Sequence, residues 1–161
     1  MHAVPYLTIP AAGPGDPPAL AMSLAAHPER WLQLVDFRPD TRWCRLLECA
    51  AGYEVWLLSW LPGQGTDLHD HGPASGAFAV AVGTLTERAV TRGNGVEITR
   101  RLTAGRVRAF GPSYVHQVTN TGSMPAVSVH VYAPTLATMN TYRVAPEGLV
   151  HVSVEQAGVD W

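Results

Sequence analysis

The chain is poor in cysteine and in charged residues, and it has no long apolar run. Its two cysteines, Cys44 and Cys49, are too few for a disulfide scaffold, and we expect both to be reduced thiols in a cytoplasmic protein. Acidic and basic residues are interspersed, with a formal net charge of −2, so we expect no binding to nucleic acid. The apolar runs are too short for a membrane span, and the N-terminal residues lack the pattern of a signal peptide.

The composition is that of a globular protein with one core. Apolar residues make up 47% of the chain and charged residues 15%. Residues 1–18 are dense in proline and glycine, which predicts an extended segment. The apolar spacing over residues 19–35 predicts one or two short helices, the second opened by Pro28. We therefore expect residues 1–38 to form an extended and helical leader that packs on a single domain made by residues 39–161.

The rest of the chain has the pattern of β structure. Short apolar or alternating segments recur from position 42 onwards, and clusters of Gly, Pro, Asn and Asp separate them. The stretch RGNGVE lies between two alternating runs and predicts a β-hairpin. This spacing predicts an all-β domain, either a sandwich or a small antiparallel barrel of the jelly-roll type.

Two of the seven histidines, His69 and His71, stand one residue apart in the stretch GQGTDLHDH. Residues two apart on a strand point to the same face, so the two imidazoles lie side by side and suit two ligands of one metal. Asp70 points the other way, and we expect it to be a surface carboxylate or to support the ligands from outside.

The surroundings of this pair extend the pattern. One glycine precedes the pair and another follows it, and farther on a Gly-Pro turn leads to His116 and Asn120. The order of these residues resembles the two-part signature of the cupin superfamily, over residues 63–83 and 105–120. The resemblance implies that His116 joins the pair at one metal site inside the domain.

The sequence departs from that signature at one position. Most cupins carry a glutamate shortly after the second histidine, whereas this chain has Ser75 and Gly76 there and no acidic residue before Glu87. Three neutral imidazoles with open positions opposite favour iron(II), which would keep exchangeable sites for a substrate and O₂. Zinc with three histidines and a water would hydrolyse or hydrate instead, and the ligand set leaves both metals open.

A second polar set lies in the segment AVSVHVYA. Ser128, His130 and Tyr132 alternate with three valines, so they share one face of a strand. If the valines fill the gap between the sheets, the polar face lines the cavity, and a relay from the serine through the histidine holds the tyrosine hydroxyl near the metal. The alternative is a half-buried strand whose polar residues face water.

These features together resemble the cysteine dioxygenase family of thiol dioxygenases, bacterial type, over residues 42–135. The resemblance implies Fe(II) as the cofactor and a cupin fold with a short helical leader. The implied metal ligands are His69, His71 and His116, and the implied catalytic residues are Tyr132, His130 and Ser128.

The same resemblance implies a residue that binds the substrate carboxylate. Arg45, in the stretch WCRLL, corresponds to the family's carboxylate-binding arginine, and Arg42 is the rival three residues before it. A guanidinium fork suits bidentate recognition of a carboxylate. In animal members the active-site tyrosine is joined to a cysteine, and the corresponding position here is Gly76, which excludes that crosslink.

The implied reaction adds both atoms of O₂ to the sulfur of L-cysteine and gives cysteine sulfinic acid, in a monomer or homodimer. The nearest alternative is dioxygenation of another small thiol, 3-mercaptopropionate or cysteamine. Arg45 favours cysteine, because relatives that prefer 3-mercaptopropionate tend to lack this arginine. A third hypothesis is a non-catalytic cupin that binds a metal or a small ligand.

Overall fold

A computed structural model describes residues 15–157, and in this range the chain forms one short helix and eleven strands. In chain order the elements are helix α1 (Pro17–Ala25), two 3₁₀ turns (Pro28–Arg30 and Leu32–Leu34), and strands β1 (Trp43–Ala50), β2 (Tyr53–Trp60), β3 (Leu68–Asp70), β4 (Ser75–Val82), β5 (Thr84–Val90), β6 (Glu97–Thr103), β7 (Val107–Phe110), β8 (Val115–Thr119), β9 (Ala126–Ala133), β10 (Thr138–Ala145) and β11 (Gly148–Gln156).

The strands form two antiparallel sheets. One sheet has five strands in the order β1-β2-β9-β4-β7, and the other has six in the order β11-β10-β3-β8-β5-β6. The predicted all-β fold is therefore confirmed, and the predicted hairpin around RGNGVE is the β5–β6 pair. The predicted barrel needs one correction. The sheets enclose a common apolar core but no strand pairing closes them into a barrel within residues 15–157.

Helix α1 begins with residues that are typical of a helix N-terminus. The Asp16 side chain accepts a hydrogen bond from the Ala19 amide at 3.1 Å, and prolines occupy the first helical positions, where their missing N–H costs nothing. The second predicted helix is instead two 3₁₀ turns. Trp31, between them, has a φ of −139°, which interrupts a regular helix at this point. Its side chain is buried, and its indole nitrogen donates to the Leu24 carbonyl at 2.8 Å.

Helix α1 covers the outer face of the five-stranded sheet. Its residue Leu20 packs in one cluster with Val127, Val129 and Val131 of β9. The condition that these valines fill the gap between the sheets is not met, because α1 supplies their apolar partner. The polar residues that alternate with them consequently face the space between the two sheets.

Only part of the predicted leader, residues 1–38, can be compared with the structure. Most of the predicted extended segment, residues 1–14, lies outside the described residues, as do residues 158–161. The helical part of the leader packs on the sheet, and the boundary at residue 38 stays a prediction. Within residues 15–157, no helix is both long and apolar enough to cross a membrane.

Gly83, between β4 and β5, has a backbone that favours glycine and a close neighbour. Its φ is +75°, and a Cβ there would lie 2.6 Å from the Pro125 carbonyl oxygen. We expect Gly83→Ala to lower the free energy of unfolding by about 3 kcal/mol, from left-handed strain and crowding together. Gly93→Ala is the matched control, since its φ is +89° with open space around it, and it should lose about 1 kcal/mol. Equal losses in chemical denaturation would refute the crowding.

Candidate metal centre

Three buried histidines converge between the sheets. His69 lies in β3 and His116 in β8, and the antiparallel register places these two residues directly opposite each other. His71 follows β3 by one residue and points to the same side. The imidazole centroids are 4.8 Å apart for His69–His71 and for His69–His116, and 5.2 Å for His71–His116. One ligand nitrogen from each lies within 4.8 Å of the others, so a three-histidine site is present.

The chemistry of this donor set fits a divalent metal. The Nδ1 of His69 lies 2.8 Å from the Asp67 carbonyl oxygen, so it must donate its N–H there, and the lone pair is left on Nε2. That Nε2 lies 3.2 Å from the Nε2 of His71. Burial lowers the pKa of His69 to about 3 and holds the pKa of His71 well below its usual value, so both rings are neutral at pH 7. Neutral imidazoles with facing lone pairs attract a cation.

His116 is oriented by a buried carboxylate that sequence reasoning missed. Glu87 in β5 is fully buried, and its Oε1 lies 3.0 Å from the Nδ1 of His116. Arg108 donates to the other carboxylate oxygen at 3.0 Å, and the Tyr114 hydroxyl donates to Oε1 at 3.2 Å. Burial alone would raise the pKa of Glu87, but the contacts with His116 and Arg108 outweigh it and lower the pKa. An ionised carboxylate thus receives the Nδ1–H of His116 and directs its Nε2 to the centre.

A signal for Glu87 exists in the sequence. In the strand TLTERAV it alternates with Leu85 and Ala89, which are both buried, so it occupies an inward position. A carboxylate at an inward strand position requires a buried partner. Without this consideration, Glu87 is only the first acidic residue after the histidine pair.

Asp70 is buried rather than on the surface. Its carboxylate accepts hydrogen bonds from the Gly72 amide at 2.9 Å, from Asn140 at 2.8 Å and from the Tyr142 hydroxyl at 2.7 Å, and it pairs with Arg92. Burial alone would raise the pKa of Asp70, but these hydrogen bonds and the ion pair lower it. Asp70 therefore supports the histidine pair without pointing into the site, since these hydrogen bonds fix the backbone between His69 and His71.

A cavity of about 420 Å³ opens beside the three histidines. His130 and Tyr132 of β9 line it, and the Tyr132 ring centroid lies 4.9 Å from that of His71. The Oγ of Ser128 lies 2.8 Å from the Nε2 of His130, and the Nδ1 of His130 lies 3.4 Å from the Tyr132 hydroxyl. Burial raises the pKa of Tyr132, so the hydroxyl keeps its proton. The structure thus brings the predicted Ser-His-Tyr set to the metal site.

The two candidate arginines lie on opposite sides of the sheet. Arg42 lines the cavity, where its guanidinium lies over the Trp60 ring at 5.1 Å and donates to the Gly65 carbonyl at 3.0 Å. Arg45 is exposed and pairs with Leu57 of the neighbouring strand, so the two side chains lie on the same face of the sheet. Leu57 packs beneath α1, which makes this the face away from the cavity. Because strand residues alternate, a separation of three places the two side chains on different faces. The structure therefore places Arg42 in the cavity and Arg45 outside it.

Gly76 stands directly opposite Tyr132 in the β4–β9 register. A Cβ at this position would collide with the Val131 carbonyl oxygen and would lie 2.8 Å from the Phe110 ring. The ring of Phe110 occupies the space that a larger side chain would need, and it stacks on His71 with a centroid distance of 4.7 Å. A side chain at position 76 would therefore disturb a ring that supports a metal ligand.

Comparison with known proteins agrees with this geometry. Residues 18–144 match the family model described as cysteine dioxygenase type I. No curated protein matches the chain.

Solved structures show the same architecture. The TT1209 protein of Thermus thermophilus is 20% identical with a TM-score of 0.58, and the match covers 65% of this chain and 93% of that one. A Klebsiella pneumoniae protein with a double-stranded β-helix domain is 23% identical with a TM-score of 0.59, over 68% of this chain and 85% of that one. Oxalate decarboxylase from Bacillus subtilis is 17% identical with a TM-score of 0.58, over 68% of this chain and 30% of that one.

At these identities the likenesses concern the fold alone, and they confirm the cupin fold expected from the sequence. The family model covers more than half of the chain, and its matched range contains all three histidines. The chain therefore belongs to the cysteine dioxygenase type I family and is a metalloenzyme of the cupin type.

Proposed function

We propose that this protein is a non-haem iron(II) thiol dioxygenase that converts L-cysteine to cysteine sulfinic acid. The observation that carries the proposal is the guanidinium of Arg42 in the same cavity as the three histidines and Tyr132. One cavity thus combines a site for a metal, a cation for a carboxylate and a hydroxyl donor. A small thiol with a carboxylate satisfies all three at once.

Arg42 replaces Arg45 as the proposed carboxylate-binding residue. The hydrogen bond of its Nη1 and its stacking on Trp60 fix the plane of the guanidinium, while its buried Nε has no hydrogen-bond partner among residues 15–157. A buried N–H without an acceptor carries a free-energy cost that an incoming carboxylate would remove. This orphaned donor supports a carboxylated substrate over cysteamine.

The acidic residues near Arg42 support cysteine over 3-mercaptopropionate. Asp67 and Glu155 line the same cavity and interact electrostatically with Arg42. Carboxylates in the wall favour a substrate that carries an ammonium group beside its carboxylate. 3-Mercaptopropionate has no such group.

Each protein group has a distinct part in the proposed mechanism. Iron(II) held by His69, His71 and His116 would supply the acidity that ionises the thiol and the redox chemistry toward O₂. Arg42 binds the carboxylate and fixes the orientation of the sulfur. Tyr132 donates a hydrogen bond into the cavity, and its buried position keeps bulk water away from the reacting atoms.

Arg42→Ala should weaken binding of carboxylated thiols. With iron-loaded protein we expect KM for cysteine to rise about 10- to 100-fold, since a charged hydrogen-bonded pair is lost. Turnover of cysteamine, which has no carboxylate, should change little. O₂ uptake with mass-spectrometric detection of the sulfinate gives the measurement. Arg45→Ala removes the same charge from the outer face and serves as the matched control. Consumption of O₂ without sulfinate would count against a thiol dioxygenase. A zinc-filled protein without O₂ uptake would favour a non-catalytic cupin.

Glu87→Gln should weaken metal binding through His116. The amide keeps the shape of the side chain but loses the charge that polarises the imidazole, so we expect about 10- to 100-fold weaker affinity for Fe(II). Anaerobic competition with a chromophoric chelator measures this affinity. Glu97→Gln is the control, because Glu97 is an exposed carboxylate that pairs with Arg88 away from the cavity. Unchanged affinity in Glu87→Gln would show that this carboxylate does not support the metal.

A further inference from the structure

Trp60 makes two contacts that the family resemblance does not assign. Its ring lies beneath the guanidinium of Arg42, and its indole Nε1 lies 2.8 Å from the Oγ of Ser128. Both Trp60 and Ser128 are completely buried. Asn120 donates from its side-chain nitrogen to the Trp60 carbonyl at 3.0 Å and so fixes the end of β2. The indole is therefore held between the carboxylate-binding residue and the first member of the Ser-His-Tyr set.

The indole N–H fixes the direction of the hydrogen bonds that follow it. An indole nitrogen is a donor only, so the Oγ of Ser128 must accept from Trp60. Within the described residues, the acceptor within reach of the serine hydroxyl hydrogen is the Nε2 of His130, at 2.8 Å. A buried hydroxyl needs an acceptor for its hydrogen, so Ser128 donates to that Nε2.

This direction determines the tautomer of His130. Burial keeps the pKa of His130 well below its usual value, so the ring is neutral and carries one proton. Since Nε2 accepts from Ser128, the proton must be on Nδ1. Phe78 stacks on the imidazole at 5.1 Å with an interplanar angle of 13° and holds the ring in this orientation. The Nδ1–H then points to the Tyr132 oxygen at 3.4 Å.

We propose that Trp60 sets the direction of the whole relay and thereby makes Tyr132 a hydrogen-bond donor into the cavity. The sequence of donors runs from the indole through Ser128 and His130 to the phenol oxygen, which leaves the phenol hydrogen free to point away from His130. Trp60 is thus a positioning residue that acts through its neighbours. The tautomer of His130 is independent of any catalytic role, whereas the use of the Tyr132 donor rests on the proposed function.

The tautomer can be measured on the metal-free protein. Long-range ¹H–¹⁵N spectra of histidine-labelled protein distinguish Nδ1–H from Nε2–H rings, and His130→Gln assigns the signals. We expect His130 to be the Nδ1–H tautomer. In Trp60→Phe, Ser128 loses its obligatory donor and is free to accept from Nε2–H, so the tautomer ratio should shift about fivefold or more toward Nε2–H, as expected for one buried hydrogen bond.

Trp31→Phe is the matched control for that spectrum. Trp31 is equally buried and its indole donates at the same distance, 2.8 Å, but to a carbonyl on the helix side of the sheet. It should leave the His130 signals unchanged. An Nε2–H tautomer in the parent protein, or an unchanged ratio in Trp60→Phe, would overturn the proposal.

Kinetics then test the link to catalysis separately. In iron-loaded protein we expect Trp60→Phe to lower kcat for cysteine about tenfold, because Tyr132 loses its fixed direction, with kcat unchanged in Trp31→Phe. If the tautomer shifts in Trp60→Phe but the parent protein forms no sulfinate, the proposed function is refuted and the direction of the relay stands. A shifted tautomer with unchanged kcat would overturn the catalytic use of the Tyr132 donor.

Discussion

The metal site depends on the register of one very short strand. β3 has three residues, and its pairing with β8 places His69 opposite His116. A slip by one residue would turn the histidine pair to the outer face and bring Asp70 inward. Three residues of pairing are too few to resist such a slip, so the register needs another source of stability. The hydrogen bonds of Asp70 to Asn140 and Tyr142 of β10 provide it.

The site consequently rests on two buried carboxylates outside the ligand set. Asp70 fixes the backbone between two of the histidines, and Glu87 orients the third. Each is paired with an arginine, Arg92 in one case and Arg108 in the other. An ion pair that takes a carboxylate out of water contributes little net stability compared with apolar residues of the same size, which indicates that these two carboxylates serve the geometry of the site rather than the stability of the fold.

Local periodicity made much of the fold and site predictable. The alternation in AVSVHVYA places three polar residues on one face, and the spacing of His69 and His71 does the same, because these relations depend on the strand alone. The choice between Arg42 and Arg45 depends on where β1 begins, which the sequence does not specify. The role of Glu87 depends on the register between β5 and β8, which joins residues 29 positions apart. Neither the open edges of the sheets nor the packing of α1 on the valines follows from local pattern.

The position of Arg42 in the chain differs from those of His69 and His116. It lies just before β1, which is an edge strand, whereas His69 and His116 lie on strands with neighbours on both sides. Substitutions in the short segment that carries Arg42 therefore leave the paired strands intact. On the proposed function, substrate preference can therefore be redesigned at this segment without changing the strands that carry His69 and His116.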